Sequence, residues 1–113
     1  MYGTTTAELG GKIRTLKFNI NADIEYERMH NLSGKSEAVR KEIASGISLV
    51  EWVRDAIYCA LKSADLEAGR SIDYNQFTVG DWITAIEQTE LERILLVRSD
   101  AMPKNDTKKK ESQ

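Results

Sequence analysis

The run from Asp65 to Gln76, DLEAGRSIDYNQ, followed by Phe77, has the length and acidic character of a calcium-binding loop between two helices. Asp65, Glu67, Ile72 and Asp73 occupy positions one, three, eight and nine of such a loop. Three departures weigh against calcium. Position five is Gly69, which carries no side-chain oxygen, and position six is Arg70, where a glycine normally makes the sharp turn. Position twelve is Gln76, which cannot supply the bidentate carboxylate that calcium sites use. Arg70 also brings a positive charge into the cage. The run reads as a solvated acidic loop without a metal.

Two other groupings invite a chemical reading. Gly34-Lys35-Ser36 resembles the end of a phosphate-binding loop, but the position five residues earlier is Met29 instead of glycine, and the segment follows a helix instead of a strand. It is a helix-ending turn. His30 is the one histidine, which rules out a multi-histidine metal site. Pairing it with Cys59 as base and nucleophile would require a thiol at a helix N-terminus or among basic groups. Cys59 instead sits beside Ala60 inside an amphipathic helix, where a small buried thiol is the ordinary outcome. No catalytic residue, metal or cofactor is expected.

The elements that position these residues follow from periodicity. Leu16, Phe18 and Ile20 alternate with Thr15, Lys17 and Asn19, the two-residue period of a strand with one buried face, at roughly 12–20. Asn21 is the candidate N-cap of a helix over roughly 22–32, with Ala22, Tyr26 and Met29 at three- and four-residue steps. Residues 1–11, Gly- and Thr-rich and ending in a glycine pair, read as a flexible arm in which a first short strand is compatible but not compelled. Lys35 to Ser45 is charged, with Val39 and Ile43 four apart, and reads as a short helix or a mobile connector. Ser48 and Glu51 open the clearest helix, whose stripe runs through Leu49, Trp52, Val53, Ala56, Ile57, Ala60 and Leu61, with Arg54, Asp55 and Lys62 pointing elsewhere. A loop over 63–77 leads to a third helix, capped at Thr78 and carrying Val79, Trp82, Ile83 and Ile86. It breaks near Gln88 and restarts with Leu91, Ile94 and Leu95.

The expectation is one α+β, mainly α-helical domain over 12–102, a short N-terminal strand or hairpin packed with three to four helices. Its core is expected to hold Leu16, Phe18, Trp52, Val53, Ile57, Leu61, Ile83 and Ile86. A buried Trp52 would make Trp52→Ala cost on the order of 3–5 kcal/mol. Residues 103–113 form a lysine-rich tail expected to be disordered.

Composition bounds the partners. The 113 residues suffice for one domain, and the net charge of −2 argues against generic nucleic-acid affinity. Lys104 and Lys108–Lys110 against Asp106 and Glu111 leave the tail at +2 and the preceding chain at −4. A lone cysteine, no apolar run after Met1 and no membrane-length apolar stretch predict a cytoplasmic protein without a signal peptide.

The segment LKFNINADIEYERM, Leu16 to Met29, with Ser33 to Ser36 behind it, resembles the opening of the small tail assembly chaperones encoded by long-tailed bacteriophages. The run ISLVEWVRDAIYCALK, Ile47 to Lys62, resembles that family's second block, a helix ending in an Ala-Leu pair, here Ala60 and Leu61. Val79, Gly80, Asp81 and Ile83 match a following Val-Gly-Asp-x-Ile segment. The likeness covers roughly residues 12–87; the charged 35–45 segment and the polar 63–76 loop depart from the family's compact spacing.

The resemblance implies a non-enzymatic chaperone that binds the long helical tape-measure protein during tail assembly in the host cytoplasm and leaves before the virion matures. The tail-tube protein and a further copy of this chain are additional candidate partners, with no membrane and no nucleic acid. Its groove residues would be apolar positions left over once the core is built, for which Tyr26, Met29, Tyr58 and Leu95 are the candidates. Two other classes stand beside this one: a degenerate EF-hand-like regulator or adaptor, and another small phage structural or interaction protein. A DNA-binding regulator would need a basic recognition helix, and none of the helices has one.

Overall fold

The computed structural model describes residues 3–101, with side chains up to Arg98. A hairpin of β1 (Gly3–Leu9) and β2 (Lys12–Phe18) is followed by α1 (Ile20–Met29), α2 (Glu37–Ser45), α3 (Leu49–Glu67), α4 (Gln76–Ala85) and α5 (Gln88–Ala101). The fold is α+β and mainly helical, as the periodicities predict. The lysine-rich run at 103–113 lies outside the described residues.

Residues 3–9 are not a loose arm. They pair antiparallel with β2, Gly3 opposite Phe18 and Leu9 opposite Lys12. Gly10 and Gly11 close the hairpin with φ of +66° and +86°, the left-handed values that a two-residue turn matching the strand twist requires. A Cβ on Gly10 would also lie 2.5 Å from the Trp82 indole. The hairpin tip therefore packs directly on α4. The consecutive Thr4, Thr5 and Thr6 hid this strand, on which only Ala7 and Leu9 are buried.

Leu16 and Phe18 face the core with Ala7 and Leu9, but Ile20 is 62% exposed. The strand period stops at Phe18 because Asn19, not Asn21, is the cap of α1. Its Oδ1 accepts from the Ala22 N–H at 2.9 Å and from the Ser63 hydroxyl at 2.8 Å. One amide oxygen thus ends the strand, starts α1 and ties both to α3.

Helix α3 is the spine of the domain. Its buried run Asp55–Leu61, with Ser63 and Ala64, packs on β2, α1 and α4. Val79 from α4 and Ile94 from α5 complete the interior, and Tyr74 joins them. Arg93 of α5 clamps β1, donating to Thr5 Oγ1 at 2.8 Å and to the Thr6 carbonyl at 2.7 Å. Of the expected core, Leu16, Phe18, Ile57 and Leu61 are buried, Val53, Ile83 and Ile86 are half-buried at its margin, and Trp52, half-buried, is not part of it.

The presumed 63–77 loop is shorter than the composition indicates. Residues 63–67 continue α3, so Asp65 and Glu67 stand on a helix and not in a cation cage. Asp65 accepts from Arg70 Nε at 2.8 Å and from the Tyr74 hydroxyl, and Glu67 pairs with Lys17. Burial and this hydrogen bond raise the Tyr74 hydroxyl pKa. Asn75, not Thr78, caps α4, with Thr78 returning the bond in a capping box. Calorimetric titration with millimolar calcium is expected to show no saturable site, because Asp65 would have to abandon Arg70 and Tyr74. A micromolar isotherm would restore the calcium-regulator reading.

Candidate functional site: an apolar groove on helices 3, 4 and 5

The first turns of α3, the outer side of α4 and the start of α5 enclose an open groove of about 700 Å³. Trp52 and Val53 on α3, Ile83 on α4, and Leu91 and Leu95 on α5 form its floor and walls. Its lip is formed by Leu49, Val50 and Phe77, exposed by 74%, 78% and 75%. Three large apolar side chains around one cleft are thus presented to water.

Helix geometry explains the opening. Leu49 and Val50 are consecutive, and only one face of α3 can turn toward the hairpin. Helix α4 ends at Ala85, and Ile86 takes an extended backbone, so α5 sets off in a new direction. The three helices converge on the core through Ile57, Val79 and Ile94 and diverge at their outer edges. Polar groups at the groove are few. Arg54 holds its guanidinium 5.7 Å from the Phe77 ring while its Nε donates to Asp55 at 2.8 Å, and Asp81 is exposed on the α4 side. Arg98 lies 5.0 Å over the Trp52 ring.

The four residues expected to bind a partner do not meet in one place. Leu95 lines the groove. Tyr58 does not: it is 9% exposed, inside the core, edge-on to Tyr74 at 6.1 Å. It was assigned to the surface because it falls off the main α3 stripe, yet α3 is enclosed on more than one side and buries that position too. Tyr26 and Met29 pack against the core from α1. Tyr26 stacks on His30 with ring centroids 4.5 Å apart, and burial followed by the Asp55 charge raises its hydroxyl pKa to about 12.

Behind the groove lies the second notable grouping. His30 Nε2 is 2.7 Å from Asp55 Oδ2, and the other carboxylate oxygen accepts from Arg54. Asp55 is only 1% exposed. It was expected to point away from the packed stripe, and it does leave the apolar stripe, but α1 covers it there. His30, Glu51 and Asp55 bring potential metal-ligand atoms within 4.8 Å of one another. Both Asp55 oxygens are already engaged, one of them by a cationic guanidinium, so the arrangement works as a polar lock between α1 and α3.

Cys59 is buried, and among the described residues no hydrogen bond joins its thiol to His30. Burial first, then the Glu25 and Asp55 charges, raises its pKa from 9.0 to about 12. Three pH units correspond to about a thousandfold less thiolate at pH 8. Native protein is expected to react with Ellman's reagent only as it unfolds; reaction at the rate of a free thiol would refute the burial. The same shift sets a sign. The folded state holds this proton above the unfolded value, so Cys59 makes stability fall as pH rises from about 9 towards 12.

No family model, curated protein or solved structure matches the chain. The groove itself was only partly legible in the sequence. Leu49, Ile83 and Leu91 were assigned to apolar faces, Phe77 was placed at the end of the 63–77 loop as one of several aromatics able to anchor a partner, and Val50 was passed over. The signal that finds them is apolar width: adjacent pairs such as Leu49-Val50 and Leu95-Leu96 make a helix apolar over more than one core-facing stripe.

Proposed function

We propose that this protein is a non-enzymatic binding module whose α3–α4–α5 groove takes up the apolar face of an amphipathic helix. The observation that carries this reading is the water-exposed lip of Leu49, Val50 and Phe77 around one cleft. A helix laid in such a groove buries anchors at three- and four-residue steps, the usual helix-in-groove mode. The likeness of residues 12–87 to phage tail assembly chaperones supplies the partner: the tape-measure protein, whose long helical stripes need temporary cover before tail-tube subunits enclose them. Host cytoplasm is the compartment that this role requires. No helix among the described residues is long and apolar enough to cross a membrane.

Co-expression tests the reading. The tape-measure protein is expected to remain soluble and to be recovered on this protein in a pull-down. Equal solubility with and without it, and no recovered complex, would overturn the chaperone assignment. Binding is expected to survive deletion of residues 104–113, because charges at a rim matter less than buried apolar anchors.

A further inference from the structure

We infer that the groove is occupied, before any partner arrives, by helix α2 of a second copy, giving a two-fold dimer in which each copy fills the other's cleft. This rests on the groove being a receptor for helices, and it adds a regulation to that reading: the partner must displace α2.

The argument begins with α2 itself. Helix α2 is properly begun, Ser36 accepting from the Val39 N–H at 3.3 Å, yet none of its residues is buried. It makes no substantial packing contact with any other element, and neither Val39 nor Ile43 touches the core cluster. A nine-residue helix is marginal by itself, because helix stability in proteins comes mainly from packing an apolar face. Val39, 40% exposed, and Ile43, half-buried, stand one turn apart on one side of α2, an apolar pair that packs on no part of the core cluster. What holds α2 in place is polar: Arg40 pairs with Glu27 at 2.8 Å and donates to the Leu32 carbonyl at 2.9 Å.

The groove offers the missing counterpart. Leu91 and Leu95 are also one turn apart, so a pair spaced four residues on a facing helix interdigitates with them, ridge into groove. Charge agrees as well. Glu42 flanks the Val39–Ile43 stripe, and Arg54 on the groove wall donates its Nε to Asp55, its terminal nitrogens making no hydrogen bond among the described residues and able to meet a carboxylate.

Three residues, 46–48, connect α2 to α3, so the unpartnered stripe and the cleft adjoin on one molecule. An arrangement of ridge beside groove is self-complementary under a two-fold axis, and each contact is then made twice. The chain's own end is a poor occupant: Met102 to Gln113 holds four lysines and a proline and offers no apolar stripe.

Sedimentation velocity across a range from about 1 to 100 μM is the test, with circular dichroism as the folding control. The full chain is expected to sediment as a dimer. The double variant Val39→Asp/Ile43→Asp and the single variant Phe77→Asp each change exposed or half-exposed side chains, and each is expected to weaken the dimer roughly 30-fold or more. Mixing the two should partly restore it, since one intact α2 and one intact groove remain between them.

A wild-type chain that stays monomeric at the highest concentration overturns the inference. So does a dimer that the α2 double variant leaves intact, which would mean groove packed on groove. Loss of the dimer on deleting residues 102–113, with α2 untouched, would likewise overturn it. The two readings separate cleanly: a monomer that still retains the tape-measure protein sinks only the dimer, and a dimer that retains none sinks only the chaperone assignment.

Discussion

Replacing Asp55 with alanine is expected to destabilise the fold by about 3–5 kcal/mol, the usual cost of removing one member of a buried charged hydrogen-bonded group. The carboxylate is 1% exposed and receives His30 at 2.7 Å and Arg54 at 2.8 Å. Alanine removes the imidazole's hydrogen-bond partner and the Arg54 acceptor together, and it unpins α1 from α3. Urea denaturation followed by circular dichroism measures the change. A double-mutant cycle with His30→Ala should show coupling of about 0.5–3 kcal/mol between the two positions. An unchanged urea midpoint for Asp55→Ala would mean that the lock contributes nothing. Trp52→Ala, by contrast, is expected to cost less than the 3–5 kcal/mol of a fully buried tryptophan, because one side of its ring faces the groove.

Phe77→Asp is expected to lower affinity for the partner helix by roughly 30-fold or more, equivalent to about 2 kcal/mol, while shifting stability by less than about 0.5 kcal/mol. The separation of the two effects follows from the position of the ring. At 75% exposure it contributes little to the folded monomer, yet it stands at the lip where a docked helix would cover it. The aspartate also carries a charge into the apolar contact, and its desolvation adds to the loss. Affinity for a tape-measure fragment by calorimetry, alongside a thermal melt, decides the matter. Equal affinity for wild type and variant would remove the groove from the binding surface. Tyr58→Asp is not an alternative probe, since Tyr58 is in the core and its replacement would unfold the chain before binding could be read.

Local signals in the chain were enough for most of the elements. The Ser48 cap, the break before Gln88, the Leu16–Phe18 alternation and the burial of Ile57, Cys59 and Leu61 all depend on residues close in sequence, and all are found where periodicity puts them. Strand β1 was harder, because Thr4, Thr5 and Thr6 carry no strong apolar alternation. Its register is set by the Gly10–Gly11 turn and by Trp82 lying against it. Asn19 rather than Asn21 became the cap because Ser63, 44 residues away, also holds its side chain.

The candidate site shows the same division. That this chain has apolar residues to spare beyond one core was determined by sequence alone, in the paired Leu49-Val50 and in Leu95-Leu96. Which of them are spare was decided only by tertiary packing. Tyr58 and Phe77 are both aromatic, one expected off the main α3 stripe and the other at the end of the 63–77 loop. One ends in the interior because Tyr74 and the rest of the core surround α3, and the other stays 75% exposed at the groove lip, with the Arg54 guanidinium 5.7 Å from its ring. Periodicity assigns a side chain to a face of its own helix. Burial depends on how many neighbours that helix has and from which directions they come, and those are properties of the assembled fold.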